Sequence, residues 1–362
     1  MKKRKCDMMG RGILPINAKL LVEKVSFKLI IESFGRTCFE ARNVAEGAKL
    51  FKKMIEEGDT IWLGIAGAGI VGGLGGYVIE LIKRGFIDAI CTTGAQAYHD
   101  LHFAFGLPVK QGDSKANDNK LHKQRIVRIY DMYIDEEKTL LAQDELIREF
   151  CSHQLLPLRT LENLSMSSAD FNFRLGNYVL ETAKFPERSF LAAAADNGVP
   201  VYFDSGSNHS IGMNLAAEYL NGLNVEISSS LDILESAAIV YNSKTTGFFE
   251  LGGGGPKNFI QQTSPTIKQI LGIDFEGADR GLQITTALER DGGLSGCTFN
   301  EGVTWGKYKK PSKDLVQIFC EYSIVFPLIA GYVLENCKPR KPKQLVLQND
   351  RMLEKLKKDR KN

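Results

Sequence analysis

The chain has 362 residues, of which 43% are hydrophobic and 25% are charged, a composition typical of a globular protein with one large α/β domain or two smaller ones. No apolar run reaches the roughly 18–20 residues that a membrane span needs, and the basic start MKKRKCDMMGRG is not followed by an apolar signal core, so we expect a cytoplasmic protein without a membrane partner. Seven scattered cysteines without a CxxC pair predict neither a disulfide framework nor a metal site.

The net charge of +3 hides an uneven distribution of charged residues. Residues 1–5 contain four basic groups, and residues 338–362 contain ten basic and three acidic groups. The remaining body has 32 basic and 40 acidic residues, a net charge near −8. An acidic body with basic ends is not typical of a nucleic-acid-binding protein and would suit a cationic small substrate.

Strands and helices are predicted to alternate from residue 61 onward. IWLGIA (61–66) is a short apolar run typical of a buried strand, and the loop GAGIVGGLGG leads into a helix at YVIELIKRG, which ends at a glycine. FIDAICTTGA (86–95) is predicted to be the next strand, and this order indicates a parallel sheet. Further strands are predicted at VPVYFD (199–204), AAIVYNS (237–243), GLQITTA (281–287) and LVQIFC (315–320), and residues 120–190 are expected to be mostly helical.

Glycine-rich loops follow two of the apolar runs. Residues 67–72 match GxGxxG, in which glycines let the backbone approach a pyrophosphate at a helix N-terminus. The acid expected about 20 residues later is missing, because the second strand ends in Thr92-Thr93 and has Asp88 at its beginning. A dinucleotide site and a plain tight turn therefore both remain open, although the second run, GGGGPK (252–257), favours a dinucleotide crevice.

The segment EGVTWGKYKK (301–310) places Lys307 directly after Trp305-Gly306. By itself this pattern is consistent with a solvated charge ahead of Tyr308 and with a nucleophile. Farther along, the basic segment from residue 338 reads as a proline-broken linker followed by an amphipathic helix or a loose tail. The residues favour a solvated end and leave open whether it grips a partner.

Several segments together resemble the deoxyhypusine synthase family, in order from about residue 37 to 335. The resemblance implies a Rossmann-like α/β fold, a parallel sheet flanked by helices in a single large domain at 37–337, with an N-terminal extension at 1–36 and a basic C-terminal tail at 338–362. It also implies a homotetramer with active sites between paired subunits. The segments that carry it are FEARNVAEGAKLFKKMIEE, IDAICTTGA, SIGMNLA, GGGGPKNFI, DGGLSG, EGVTWGK and YSIVFPLIAG.

The chemistry that this resemblance implies is transfer of an aminobutyl group. NAD takes hydride from a polyamine carbon to give an imine, a lysine captures it, an acceptor amine displaces the lysine, and the hydride returns. Lys307 matches that catalytic lysine, and Glu301 matches an acid that holds a substrate ammonium. Imine formation needs a neutral amine, whereas the ordinary pKa of lysine is near 10.4, so we expect a desolvated pocket with Trp305 as its wall.

Cofactor positions also carry over from the family, with three departures. Glu321 and Asn208 stand where the family has aspartates, and Tyr98 replaces an acid after the TTGA segment. The expected NAD-binding residues are Gly67, Ala68, Thr92, Thr93, Gly94, Asn208, Ser210, Gly253, Gly254, Thr286, Ala287, Asp291 and Glu321.

The substrate positions differ more strongly from the family. Met213 and Leu294 replace two aspartates, Asn258 replaces a histidine, and Ser295 completes the expected substrate-binding set. Each lost charge-assisted hydrogen bond is worth roughly 1.5–3 kcal/mol, which disfavours spermidine.

Several functions are compatible with this pattern. The sequence favours an NAD-dependent alkylamine transferase of polyamine metabolism with a small amine acceptor, such as one that forms homospermidine or uses an agmatine-type substrate. The alternatives are a true deoxyhypusine synthase that modifies the hypusine-bearing translation factor, and a catalytically silent regulatory subunit of a paralogue. An ordinary NAD dehydrogenase is disfavoured, because no convincing proton-transfer residue accompanies the glycine loops.

Overall fold

The computed structural model describes residues 26–158 and 164–360. Among these residues, no helix is both long and apolar enough to cross a membrane. In chain order, the strands are β1 (Thr60–Ile65), β2 (Ala89–Thr92), β3 (Val109–Gln111), β4 (Ile126–Ile129), β5 (Met132–Asp135), β6 (Leu164–Met166), β7 (Val201–Phe203), β8 (Val225–Ile227), β9 (Thr246–Leu251), β10 (Arg280–Thr285) and β11 (Leu315–Phe319).

Within the described residues, the central sheet has six parallel strands in the order β11–β10–β9–β1–β2–β7. β1 lies in the middle, where Leu63 pairs with Ile90 on one side and with Phe249 on the other. The chain builds outward from β1 to β7 and then restarts beside β1 with β9. This doubly wound order is that of the Rossmann fold, and it confirms the predicted fold class of one α/β domain.

Helices cover both faces of the central sheet, as a parallel sheet requires. They are α1 (Phe27–Phe34), α2 (Phe39–Glu57), α3 (Gly75–Lys83), α4 (Gly94–Phe105), α5 (Asp118–Lys123), α6 (Ala142–Phe150), α7 (Ser168–Thr182), α8 (Phe190–Asp196), α9 (Ser210–Leu220), α10 (Ser229–Asn242), α11 (Gly254–Pro265), α12 (Phe299–Thr304), α13 (Tyr322–Asn336) and α14 (Asn349–Asp359).

The helix α2 shows how the sequence fixes this packing. Its buried side chains recur at helical spacing and form one apolar face against β10 and β11. Gly47 permits the close approach, because a Cβ there would lie 2.8 Å from the Cδ1 atoms of both Leu282 and Ile318. The helix ends at Gly58, whose φ of 77° is the left-handed conformation that glycine adopts without strain.

Five predicted strands are confirmed: β1, β2, β7, β10 and β11 fall within or overlap the runs at 61–66, 86–95, 199–204, 281–287 and 315–320. The run AAIVYNS is a wrong prediction, because residues 237–242 lie in α10 and the strand β9 follows only at Thr246. A short apolar run does not distinguish a buried helix from a buried strand. The expectation of mostly helices at 120–190 is also incomplete, since β4 and β5 form an antiparallel sheet with β3.

The basic segment after residue 337 is not a solvated end in the described residues. Arg340 and Lys343 approach the buried carboxylate of Asp88 at 3.1 and 3.6 Å. Farther along, α14 buries Met352 and Leu356 in a cluster shared with α10. The segment therefore docks on the body.

Candidate functional site

The carboxyl ends of the six parallel strands meet at one edge of the central sheet, which we call the carboxyl edge. The loops after β1 and β9 lie side by side there, at the point where the strand order reverses. In doubly wound sheets this point is where dinucleotides bind. The opposite end of the sheet, where the strands begin, is called the amino edge.

The loop after β1 requires its glycines. Gly67 has a φ of 76°, and a Cβ on Gly69 would lie 2.7 Å from the hydroxyl oxygen of Tyr322. That hydroxyl donates a hydrogen bond to the carbonyl of Ala66 at 2.9 Å. Gln96 braces the loop from the other side, because its Oε1 accepts from the N–H of Ile70 at 2.9 Å. The sequence analysis missed both Tyr322 and Gln96.

A cleft of about 700 Å³ opens beside this loop. It lies between the glycine loop, the paired strands β3 and β5, and the start of α13. Two of the expected cofactor residues, Ala68 and Glu321, line it. Glu321 also caps α13, where its carboxylate accepts from the N–H of Ser323 at 2.8 Å.

The loop after β9 is tied to the segment after β10. The N–H of Gly254 donates to the Ser295 Oγ at 2.9 Å, and a Cβ on Gly253 would lie 2.6 Å from that side chain. Gln283 links the two segments, since its Nε2 donates to the carbonyls of Gly252 and Ser295 at 2.8 Å each. The residues GGGG and GGLSG, far apart in sequence, therefore form one rigid wall.

The end of β2 brings further expected residues to the carboxyl edge. Thr92 is buried and its hydroxyl donates to the carbonyl of Ile65 at 3.2 Å, so this side chain holds β1 and β2 together. The Thr93 Oγ1 is buried without a hydrogen-bond partner within the described part of the chain. Gly94 opens α4 and packs against the ring of His209, where a Cβ would lie 2.2 Å away.

The other expected cofactor residues follow β7 and β10. Ser210 begins α9, directly after the capping residue His209. The N–H of Ala287 donates to the Thr285 Oγ1 at 3.1 Å. Among the expected residues that follow β7 and β10, Asn208, Thr286 and Asp291 are exposed.

Lys307 is buried, with 5% of its surface exposed, which excludes the solvated charge considered from the sequence. The turn that follows α12 explains its place, because Gly306 has a φ of 69° and the N–H of Lys307 donates to the carbonyl of Gly302 at 3.0 Å. Its own carbonyl accepts from the N–H of Ala278 at 2.9 Å. Burial lowers the pKa of the Lys307 amine, which is the change that a nucleophilic lysine needs.

Two charged residues beneath the loops were missed by the sequence analysis. Lys257 is 2% exposed, and its Nζ donates to Gln283 Oε1 at 2.9 Å and to the Cys297 carbonyl at 2.7 Å. Glu250 on β9 is 1% exposed, and its Oε1 accepts from Gln261 Nε2 at 2.7 Å. Burial raises the pKa of Glu250 to about 7. Glu250 could have been identified from the sequence, because it is an acidic residue within the otherwise apolar run TGFFEL.

The remaining expected residues lie on the outside of the single chain. Trp305 is 66% exposed and Met213 68% exposed, and Leu294 and Glu301 are exposed as well. Within one chain Trp305 therefore does not form a buried wall beside Lys307, and its expected role stays a prediction that requires a facing subunit. Asn258 is half-buried on α11, one residue after Lys257.

Comparison with known proteins agrees with this architecture. The family model for deoxyhypusine synthase matches residues 29–333. A "Deoxyhypusine synthase-like protein" of Nostoc punctiforme is 35% identical over 89% of this chain and 84% of its own length. A "Probable deoxyhypusine synthase 2" of Methanosarcina acetivorans is 36% identical over 87% of this chain and 88% of its own length.

Among solved structures, a "putative deoxyhypusine synthase from Entamoeba histolytica" superposes with a TM-score of 0.57. It is 16% identical, and the match covers 92% of this chain and 99% of that one, so it supports the fold alone. With the family model spanning most of the chain and relatives above 30% identity, the chain belongs to the deoxyhypusine synthase family.

Proposed function

We propose that this chain is an NAD-dependent transferase that moves an aminobutyl or related alkylamine group through an imine on Lys307. The observation that carries the proposal is the buried Lys307 amine with its lowered pKa. An ordinary surface lysine is almost fully protonated near neutral pH and cannot attack a carbon. Family membership supports the reaction class, and burial of the Lys307 amine favours the neutral form that can attack a carbon atom.

The residues at the carboxyl edge fit NAD. The loop of Gly67 and Ala68 lies at the strand-order reversal, and α4 and α11 begin at the same edge, where their N-cap residues make no side-chain capping hydrogen bond. The buried, unpartnered hydroxyl of Thr93 offers a donor or acceptor to a ligand. Glu321 at the cleft is placed to accept from a ribose hydroxyl. When bound, NAD would accept a hydride from the donor amine carbon and return it at the end.

Lys307 would perform two exchanges of a carbon–nitrogen bond. In the first, its neutral amine attacks the carbon of the oxidised donor, a C–N bond to Lys307 forms, and the bond to the leaving amine breaks. In the second, an acceptor amine attacks the Lys307 imine and releases the lysine as a neutral amine. Each exchange conserves charge and protons, and Glu301, exposed at the start of α12, is available to hold a substrate ammonium.

The side chains at the substrate positions favour a small amine. Met213 and Leu294 present apolar surface at the positions where the family resemblance places carboxylates. A polyamine with several ammonium groups would lose partners there, whereas a shorter or less charged amine would not. We therefore propose a small amine acceptor and a role in polyamine metabolism.

The assembly proposed for this function is a homotetramer. Trp305, Met213 and Leu294 are exposed and apolar, and such surface is typical of an interface. A facing subunit would cover Trp305 and place it over a cationic substrate. Light scattering should then give a mass near four times 40.2 kDa, and a mass equal to one chain would reject the shared site.

The reaction is tested by trapping its intermediate. The full chain is incubated with NAD and, in separate reactions, spermidine, diamines and agmatine, and then reduced with borohydride. Mass spectrometry should find the substrate carbon on the peptide that contains Lys307, only when NAD and an amine are both present. Adduct on another lysine would refute the assignment, and efficient labelling of the hypusine-bearing translation factor would favour a true deoxyhypusine synthase.

A further inference from the structure

The volume beneath the glycine loops encloses two lysines and one buried carboxylate. Lys257, Lys307 and Glu250 are each almost fully buried. Two ammonium groups beside a single carboxylate would leave one positive charge without compensation, which is costly away from water. The arrangement is stable most simply when one of the two amines is neutral.

The hydrogen bonds distinguish the two amines. Lys257 is directed at two acceptors, the Oε1 of Gln283 and the carbonyl of Cys297. The orientation of the Gln283 amide is fixed, because its Nε2 donates to two carbonyls and its Oε1 also accepts from Gln317 at 2.8 Å. The Lys307 Nζ makes no hydrogen bond to any residue in 26–158 or 164–360. The site is therefore built to hold an ammonium on Lys257 and provides no such support for Lys307.

Ring contacts connect the two lysines through one cluster. The Lys257 Nζ lies 5.7 Å from the centre of the Phe299 ring, and that ring packs against Tyr308 with 5.0 Å between ring centres. Tyr308 directly follows Lys307, and its hydroxyl lies 3.5 Å from Glu250 Oε1. These contacts place Lys257 and Glu250 around the same pair of rings, and the Lys307 amine is close enough to interact with the charges of both.

We propose that Lys257 is a positioning residue whose buried ammonium, fixed by Gln283 and Cys297, keeps the neighbouring Lys307 amine in its neutral form. A fixed positive charge disfavours a second ammonium nearby, and this is one of the known ways of activating a lysine. The use of that neutral amine in catalysis rests on the proposed function, but its charge state does not.

The other charged and titratable groups around Lys307 act in known directions. Burial lowers its pKa most, the Lys257 charge lowers it further, and Cys297, Glu250 and Glu301 oppose both. Removing the Lys257 charge should raise the pKa of Lys307, and removing the Glu250 charge should lower it. A general loosening of the core would not produce shifts of opposite sign.

The test measures the neutral fraction of Lys307 without cofactor or substrate. The full chain is methylated with formaldehyde and cyanoborohydride over a series of pH values, and methylation of Lys307 is quantified by peptide mass spectrometry, with exposed Lys310 as internal reference. The midpoint should move to higher pH by roughly one unit or more in Lys257→Met, and to lower pH in Glu250→Gln. Lys257→Arg, which keeps the charge, should stay near the parent midpoint.

Two results would overturn the proposal: an unchanged midpoint in Lys257→Met, or shifts of the same sign in Lys257→Met and Glu250→Gln. If Lys257→Met does not fold, a Glu250→Gln midpoint that is unchanged or higher also overturns it. The outcome is separate from that of the borohydride trap. Opposite shifts without any trapped adduct would reject the proposed transfer and keep Lys257 as the residue that sets the charge of Lys307.

Discussion

The two ends of the central sheet differ in how their buried charged side chains are paired. At the amino edge, Arg280 meets the buried Asp59 at 2.5 Å, and Arg340 and Lys343 converge on Asp88. At the carboxyl edge and just beneath it, the Oε2 of Glu250 has no hydrogen-bond partner within the described residues. The amino edge therefore resembles a structural clamp, in which even Arg280 Nε, which has no hydrogen-bond partner among the described residues, lies 3.6 Å from Asp314, whereas the other end contains Glu250 Oε2 and Thr93 Oγ1, which have no partner among those residues.

This difference agrees with the sequence analysis, which found Asp88 at the beginning of the second strand and the expected acid missing from its end. Asp88 precedes β2 and lies at the amino edge. Its Oδ2 accepts from the N–H of Ile61 at 2.8 Å and from Arg340 at 3.1 Å. A residue there cannot reach a ribose at the carboxyl edge. Polarity alone did not reveal function, because the role of an acid depends on the end of the strand at which it stands.

The largest effect is expected from Lys307→Arg. Arginine is of similar length but stays protonated and cannot supply a neutral amine, so product formation should fall by at least about 10³-fold. Turnover with NAD and the preferred amine is the measurement. Lys310→Arg, in the same segment but exposed, is the matched control and should retain activity. Product formation at the normal rate by Lys307→Arg would show that catalysis at the carboxyl edge does not depend on the Lys307 amine.

At the amino edge, Asp59→Asn should act on stability. It removes the fully buried carboxylate partner of Arg280 and leaves only the more exposed Glu57 and Asp314, and losing one partner of a buried ion pair costs about 3–5 kcal/mol. The free energy of unfolding is measured with urea. The fraction that remains folded should still trap the imine on Lys307, and a selective loss of trapping at full stability would contradict the structural role of this edge.

The pH dependence of stability should report on Glu250. Its folded pKa of about 7 lies above the ordinary 4.5, so the unfolded chain loses its proton first as pH rises. The contribution of protonated Glu250 to the free energy of unfolding is fully present below pH 4.5. It falls by up to about 3 kcal/mol between pH 4.5 and 7. Glu250→Gln should remove this part of the decline in urea titrations. An identical decline in parent and variant would show that Glu250 does not titrate in this range.

A smaller effect is expected from restoring acids at the substrate positions. Met213→Asp and Leu294→Asp should each improve the use of spermidine by roughly 1.5–3 kcal/mol in kcat/KM, because each supplies a partner for an ammonium group. The amides Met213→Asn and Leu294→Asn are the controls for size and polarity. Equal gains with aspartate and asparagine would argue against a charge-based choice of substrate.

The sequence predicted strands well where a short run is rich in apolar and β-branched residues. β1 and β10 are buried throughout, and their runs IWLGIA and GLQITTA were both predicted as strands. β9 is buried throughout as well, but Glu250 interrupts its run, and the apolar stretch of α10 just before it attracted the prediction instead. The error arose because burial makes helices and strands equally apolar.

The candidate site was predictable only where local sequence carries the signal. Lys307 was identified from EGVTWGK, and the glycine loops from their composition. Lys257, Gln283 and Glu250 were missed, because the fold brings them together from three separate elements. No pattern of neighbouring residues encodes such a cluster. Exposure of Trp305 was unforeseen for the same reason, since accessibility depends on how α12 is seated.

The docked basic segment has a consequence for synthesis of the chain. Arg340 donates to the carbonyls of Gly85 and Asp59, and Lys343 donates to that of Asp59 at 2.8 Å. Until the ribosome has released these late residues, the Asp88 carboxylate has no cationic partner and the start of β1 is unclamped. During synthesis, every strand of the central sheet is therefore made before the two cations that clamp its amino edge.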